Sequence, residues 1–434
     1  MLSNTFRGGV CLAEEKELTV GKKTKEIPAP KELIVPLCQH IGSPNESIVK
    51  EGDAVRVGQV LGDAKAFVSA PVHSPISGTV KSVQNFFHPV FGKSPAVLIE
   101  NDEKHEPLST SVKNDPARLS KEEIITIVRN AGIVGMGGAA FPTHVKLKVP
   151  EGKIIDTLII NGAECEPYLT GDHRLMIEKT KEVIDGVNIV SRVLGAKKVI
   201  IAVESNKLSA VFAMKKVIKP PLKIEVLKTK YPQGGEKQLI KAILKKEVPP
   251  GKLPLDVGVL VQNVGTCFAI QNAVCDGKPL TERCVTFTGS CLKEPGNYIV
   301  KVGTRLRDVI DYCGGFLTPP AKIISGGPMM GVSQYTLDVP VVKGTTGVLF
   351  LSEKEAAICE EMPCIKCAKC VDSCPLRLLP TDIMRMVKYS KWEYLKELHP
   401  SDCVECGACS YVCPSKIPLT QYIKLGKIKE LNKR

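Results

Sequence analysis

Cys364-Ile365-Lys366-Cys367-Ala368-Lys369-Cys370-Val371-Asp372-Ser373-Cys374-Pro375 returns in the same spacing as Cys403-Val404-Glu405-Cys406-Gly407-Ala408-Cys409-Ser410-Tyr411-Val412-Cys413-Pro414. A two-residue gap lets consecutive cysteines turn inward around one centre, and each run offers four thiolates from a tight loop. That set suits a four-iron cubane, so the two runs predict two [4Fe-4S] clusters. Zinc is the alternative. It needs only two Cys-x-x-Cys pairs and leaves the third cysteine and the Cys-Pro ending of each run without a task. Between the runs, Thr381-Asp382 opens an expected helix through Met384, Met386, Val387, Trp392 and Leu395, making residues 351–434 a helical domain.

This module resembles the helical ferredoxin of fumarate reductases and related complexes. In two-cluster ferredoxins the fourth cysteine of each run ligates the other cluster. The resemblance therefore implies Cys364, Cys367, Cys370 and Cys413 on one cluster, and Cys403, Cys406, Cys409 and Cys374 on its neighbour. The other nine cysteines, including Cys165, Cys267, Cys275 and Cys284, have no ligand spacing and are expected as buried thiols.

Working outward, the 434 residues exceed what one core holds, and 43% hydrophobic with 24% charged residues describes a folding chain of roughly three or four units. Seventeen cysteines could mean disulfides, but eight in metal-ligand spacing favour reduced thiols and the cytoplasm. No run of about 18 apolar residues occurs, and residues 1–20 carry acidic side chains where a signal peptide needs an apolar core. The expectation is a soluble cytoplasmic protein, with membrane contact peripheral only and no nucleic-acid partner. A net charge of +13 is spread over many lysines, with clusters at Lys22-Lys23-Thr24-Lys25 and over 427–434. An ordinary solvated surface explains it, as does docking to acidic electron carriers, dinucleotide phosphates or anionic headgroups.

The chain ahead of the cysteines divides into three patterns. Strands are expected over 32–36, 54–61, 66–69, 78–83 and 96–100, and the Gly52–Leu61 and Ala70–Val80 stretches resemble the β-sandwich of biotinyl and lipoyl carrier domains, here without a carrier lysine pair at the hairpin tip; residues 1–112 are read as this structural domain. A polar linker follows over 109–118. From Ser120, with Glu123 completing a capping box, strands over 157–160, 199–203, 224–227 and 257–261 alternate with helices over 172–193, 207–218, 236–245 and 266–274. This alternation predicts a parallel sheet covered on both faces over 113–280, with ligands at the carboxyl ends of its strands. Residues 281–350 return to strands and turns, with one helix over 304–312, and resemble a β-grasp domain of the SLBB type.

Three loops of the α/β part carry the candidate cofactor residues. Gly135-Met136-Gly137-Gly138-Ala139-Ala140-Phe141-Pro142-Thr143 lets a phosphate or isoalloxazine approach the backbone, with Lys146 beyond it to neutralise charge. A tight packing turn is the competing explanation. Asn161-Gly162-Ala163-Glu164-Cys165-Glu166-Pro167-Tyr168 follows an apolar strand, and Tyr231-Pro232-Gln233-Gly234-Gly235-Glu236-Lys237 precedes a helix. Their carboxylates and amides can bond ribityl, ribose and nicotinamide groups, or simply cap helices. Clusters handle single electrons, so a two-electron donor calls for a flavin converter.

In this order the three loops are similar to those of the flavoprotein subunit of respiratory complex I, and with the double cysteine motif the chain is identified as a member of the RnfC family, the flavin- and cluster-bearing component of Rnf ion-translocating ferredoxin:NAD+ oxidoreductase complexes. The resemblance covers nearly the whole chain. It implies FMN held by Gly135, Gly137, Gly138, Lys146, Asn161 and Asn263, and NADH stacked near Phe141, Glu166 and Glu236. Glu164, Tyr231, Gly234 and Thr266 complete the expected cofactor-binding set, and no residue of the protein is expected to act as acid, base or nucleophile. Relative to complex I, Ala140 replaces a glycine, Ala163 an aspartate and Gly235 the first of two glutamates. The implied activity is electron transfer between two [4Fe-4S] clusters, FMN and NAD(H), on the cytoplasmic face of a bacterial membrane, with other Rnf-type subunits as partners, ferredoxin reached indirectly and ion translocation left to those partners. A soluble cobalamin reductase of bacterial microcompartments shares the modules, but there the ferredoxin unit typically precedes the β-sandwich. A non-enzymatic ferredoxin-like scaffold is the third reading.

Overall fold

The computed structural model describes residues 4–108, 113–357 and 359–431. Part of the expected linker and the end of the basic tail lie outside the described residues.

Alternating apolar residues build the first sandwich. Strands Glu32–Pro36, Gly92–Asn101, Gly78–His88 and Ala54–Val55 form one antiparallel sheet, and Glu46–Ser47, Val60–Asp63 and Val72–His73 form the other. Leu33, Val35, Leu61, Val72, Ile76, Val80, Val97 and Ile99 fill the space between them. The strand expected over 66–69 does not form. The pairing strand is Val72–His73, because Ala70-Pro71 ends the preceding turn and Pro71 has no amide to offer a ladder. The expected strand over 54–61 is likewise two strands, interrupted by Gly58 in the left-handed region at φ 83°.

Residues ahead of the sandwich pack elsewhere. Lys25–Glu26 pairs in parallel with Gly296–Lys301 at the edge of a six-stranded sheet whose other strands are Glu282–Thr288, Gly347–Leu351, Lys322–Ser325 and Val332–Gln334. Helix Leu306–Tyr312 covers that sheet through Leu306, Val309 and Ile310.

The strands Thr157–Gly162, Lys198–Glu204 and Val259–Asn263 are near-continuous apolar runs, the signature of burial on both faces, whereas the strand Leu222–Leu227 alternates with Lys223 and Glu225 and is only partly buried. They form a parallel sheet with Leu222–Leu227 at one edge, then Lys198–Glu204, Thr157–Gly162 and Val259–Asn263. Helices Lys121–Asn130, Thr180–Leu194 and Val264–Asp276 contribute to the large core that includes Leu158, Ile160 and Ile201. Helix Glu236–Leu244 packs its Leu239 and Ile240 with Ile159 and Val261. Ser120 and Glu123 make both bonds of the capping box. The single helix expected over 172–193 is two, Gly171–Glu178 and Thr180–Leu194. The Thr180 hydroxyl bonds back to the carbonyls of Met176 (2.7 Å) and Ile177 (3.0 Å), and Lys179 leaves helical geometry between them.

Gly186 lies where Thr180–Leu194 crosses Val264–Asp276. A Cβ there would sit 1.9 Å from the Cys267 carbonyl oxygen. Gly186→Ala, which on an exposed helix gains about 1 kcal/mol, is therefore expected to lose about 1–3 kcal/mol by overpacking. Urea unfolding of the two proteins checks the sign; a stabilised variant refutes the close-crossing account.

The last part is helical, with Lys369–Ser373, Pro380–Lys388, Leu395–Leu398, Ala408–Tyr411 and Leu419–Leu431 around Ile383, Met384, Val387, Leu395, Ile417, Leu419 and Ile423. The helix expected from Thr381 through Leu395 stops at Lys388, because Ser390 takes a left-handed φ of 55° and the chain turns before Trp392.

Candidate flavin pocket and cluster centre

The carboxyl ends of the parallel strands deliver Asn161 and Asn263 to one edge, where the glycine loop closes over them. Asn263 caps helix Val264–Asp276, accepting from the amides of Gly265 (2.8 Å) and Thr266 (3.2 Å), and donates to Asp172 at 2.6 Å. Gly137 must be glycine, since a Cβ would come within 2.8 Å of the Asn263 amide nitrogen. Gly138 faces open space, and Gly137, Gly138 and Ala139 are exposed. The Gly135 amide donates to the Phe141 carbonyl at 2.8 Å and the Met136 amide to the Thr266 hydroxyl at 3.0 Å, pinning the loop across the helix N-terminus. Ala140, standing where the complex I pattern has glycine, holds the left-handed φ of 52° that explains the preference.

Of the other expected residues, Lys146 with Glu236 and Asn161 with Gly234 join this edge in pairs, whereas Glu164 and Glu166 bond elsewhere. Lys146 donates to Glu236 (2.9 Å) and to the Val261 carbonyl (2.8 Å). Asn161 donates to the Gly234 carbonyl at 2.8 Å, and the Gly234 amide lies 3.2 Å from the Cys165 sulfur. Glu164 accepts from the amides of Asp172 (2.7 Å) and His173 (3.1 Å), capping helix Gly171–Glu178. Glu166 turns toward the β-grasp sheet and accepts from the amides of Met329 (3.1 Å) and Met330 (3.0 Å). Burial pushes its carboxyl up to about 7, against the pull of those two amides.

Two groups escaped the sequence reading. Asp172 is half-buried, with its carboxyl packed inward, and desolvation together with the nearby Glu164 raises it. Arg283, 7% exposed on strand Glu282–Thr288, extends its guanidinium beneath the glycine loop, touching the Met136 sulfur and lying 3.5 Å from the Met136 carbonyl. Its Nε has no partner within the protein. The readable signal was weak, a cation in the mixed strand Glu282–Thr288 whose neighbours Cys284, Val285 and Phe287 are apolar. An open glycine backbone, a capped helix N-terminus, a lysine and a buried guanidinium with one unpaired N–H together fit an anionic flavin phosphate.

The cysteine runs repeat in backbone as in sequence. Lys366 and Glu405 take φ values of 57° and 58°, Ala368 and Gly407 of 58° and 80°, and Arg377 and Lys416 of 59° and 53°. Cys374, Cys403, Cys406 and Cys409 line one small pocket together with Leu378, Pro380 and Ile423. Its four cysteines are the crosswise set expected for the second cluster. Amides of Lys366, Leu378 and Glu405 point at the sulfurs of Cys364 (3.4 Å), Cys374 (3.3 Å) and Cys403 (3.3 Å), the donor arrangement that anionic cluster thiolates use. Among the described residues no three His, Cys, Asp or Glu side chains converge as a single-ion site requires. Cys364 and Cys367 are exposed, whereas Cys370 and Cys413 are buried. Of the nine remaining cysteines, Cys267, Cys291 and Cys313 are buried as expected, Cys38, Cys165, Cys275 and Cys284 partly so, and Cys11 and Cys359 are exposed.

Family models match consecutive parts of the chain: an RnfC barrel sandwich hybrid domain over residues 4–104, a Nuo51 FMN-binding domain over 128–272, an SLBB domain over 284–333 and a 4Fe-4S dicluster domain over 363–417. The corresponding subunit of the proton-translocating ferredoxin:NAD(+) oxidoreductase complex of Clostridium ljungdahlii is 45% identical over 400 residues, which is 91% of this chain and 86% of the relative. The chain belongs to the RnfC family. Its similarity to the family extends to the equivalent subunit of the Na(+)-translocating ferredoxin:NAD(+) oxidoreductase complex of Acetobacterium woodii, 44% identical over 432 residues, covering 98% of this chain and 96% of the relative. A chain of the NAD+-reducing [NiFe]-hydrogenase in the H2-reduced state shares the fold, with a TM-score of 0.52 and 18% identity over 74% of this chain and 68% of that one. As a member of the RnfC family, the protein is an electron-transfer oxidoreductase subunit with an FMN-binding domain and a 4Fe-4S dicluster domain. The cobalamin reductase alternative has no support among these relatives. No helix among the described residues is long and apolar enough to cross a membrane.

Proposed function

We propose that this chain carries electrons between NAD(H) and two [4Fe-4S] clusters by way of FMN, as a peripheral subunit of a membrane-bound, ion-translocating ferredoxin:NAD+ oxidoreductase. The names of its relatives support that assignment, and the pocket lined by Cys374, Cys403, Cys406 and Cys409 behind the Tyr231–Gly234 loop carries it. When bound, FMN supplies the conversion between hydride and single-electron chemistry. In this reading Gly135, Gly137, Gly138, the helix N-terminus capped by Asn263 beside Thr266, and Lys146 hold the flavin, while Asn161 and Gly234 brace its pocket. Phe141, Glu166 and Glu236 orient the nicotinamide, and Glu164 and Tyr231 shape the wall between pocket and clusters. In this reading the other cluster site, whose Cys364 and Cys367 are exposed, is open to a protein partner, and the membrane module and its cytoplasmic face belong to that partner.

The test is anaerobic purification followed by flavin and iron analysis and NADH titration. Bound FMN, two clusters and bleaching by NADH are expected; bleaching by dithionite alone would defeat the NAD(H) assignment. Lys146→Ala removes a charge-assisted bond and is expected to weaken FMN retention roughly 10- to 100-fold, read as flavin released on dilution, with iron content unchanged. Undiminished retention places the phosphate elsewhere.

A further inference from the structure

Residues 4–12 run along the seam between the flavin domain and the cysteine domain, touching both. The Val10 amide donates to the Tyr231 carbonyl at 2.8 Å and the Tyr231 amide to the Val10 carbonyl at 2.9 Å. One residue earlier, the Gly9 amide donates to the Ser373 carbonyl at 2.7 Å, beside the ligand position Cys374. The segment can lie this close only as glycine. A Cβ on Gly8, whose φ is 82°, would stand 2.6 Å from the Cys374 carbonyl oxygen, and one on Gly9 would stand 2.5 Å from the Tyr231 carbonyl oxygen. Asn4 donates to Glu225 at 2.9 Å, and Lys230 donates to the Phe6 carbonyl at 2.9 Å while its ammonium sits 4.6 Å from the Phe6 ring centre.

The clamped residue is Tyr231. It is 2% exposed, and its hydroxyl donates to the Cys406 carbonyl oxygen at 2.7 Å. Tyr231 and Val10 share one apolar cluster with Cys406 and Ala408, against which Cys165, Met329 and Val412 pack. Cys165 in turn meets the Gly234 amide of the flavin loop. A single side chain thus joins the pocket wall to the ligand loop of one cluster. We propose that Tyr231, fixed by residues 4–12, is a positioning residue for electron transfer between the flavin and the cluster held by Cys374, Cys403, Cys406 and Cys409.

This rests on the functional reading above. The hydroxyl dipole points at the ligand loop and favours the extra negative charge of the reduced cluster. Tyr231→Phe deletes that dipole and leaves the backbone pairing with Val10 intact. In the full chain, purified anaerobically with its cofactors, the variant is expected to keep its iron, and it is compared with wild type at equal flavin content. The electron distribution between flavin and this cluster should shift roughly fivefold toward the flavin, the worth of one hydrogen bond, while the outer cluster keeps its potential. Gly8→Ala, which displaces the strap, should alter the EPR spectrum of the same cluster and not the other.

Unchanged potentials in Tyr231→Phe overturn the inference, as does iron loss from that variant, which would mean a merely structural role. A wild-type chain without FMN or with fewer than two clusters overturns the functional reading and takes the inference with it. A fully loaded wild type with an indistinguishable variant sinks the inference alone.

Discussion

Replacing Cys374 by alanine is expected to cost the chain the cluster whose other ligands lie in the second cysteine run, although Cys374 belongs to the first. The pocket lined by Cys374, Cys403, Cys406 and Cys409 contains one cysteine from residues 364–374 and three from 403–413. Its loss leaves three thiolates around a cubane that needs four, while Cys364, Cys367, Cys370 and Cys413 keep their set. Iron should fall from about eight to about four per chain, with one of two overlapping EPR signals surviving. Cys413→Ala is the mirror experiment and should spare the signal that Cys374→Ala removes. If instead each variant destroyed the cluster of its own run, the crosswise assignment would be wrong.

A second large effect is expected at Lys343, which reaches into the place where three domains meet. It is 1% exposed; its ammonium donates to the Pro71 carbonyl of the sandwich at 2.7 Å and to the Gly132 carbonyl of the flavin domain at 2.8 Å. Its backbone amide donates to Gln39 at 2.9 Å. Lys343→Met keeps the volume but strands two buried carbonyls, each costing about 1–3 kcal/mol. Burial lowers the Lys343 pKa to about 7. Between that value and the unfolded pKa near 10.4 the unfolded chain binds the extra proton, so this lysine makes wild-type stability rise with pH through the window. The gap between wild type and Lys343→Met should therefore widen from pH 7 to pH 9, by up to about 1.4 kcal/mol per unit. Urea midpoints at the two pH values measure it, and parallel curves would contradict the buried-amine account.

Local chemistry carried much of this into the sequence. The Ser120 and Glu123 capping box formed as read, and the strand expected over 157–160 forms as Thr157–Gly162; both are short-range signals, like the cysteine spacing, whose two runs repeat in backbone geometry. The helix broken at Lys179 was hidden because the periodicity of its two halves runs on, whereas the break comes from a hydroxyl bonding backward. The site was legible as three loops, yet their relation was not. Lys146 reaching Glu236, Glu166 reaching Met329 and Tyr231 reaching Cys406 are contacts between distant positions, invisible to any window of sequence. Arg283 and Lys343 were missed for the opposite reason: a single cation beside polar or turn residues resembles a surface residue until the packing buries it.

The strap over residues 4–12 also orders events during biosynthesis. Asn4 waits for Glu225, 221 residues later, and Gly9 for Ser373, later still. Domains generally fold as they emerge from the ribosome, so a segment made early stays unpaired until its later partners are made. Those partners still precede Cys403, Cys406 and Cys409 in the chain, so the strap can reach both of its contacts before the last three thiolates beside it have been synthesised.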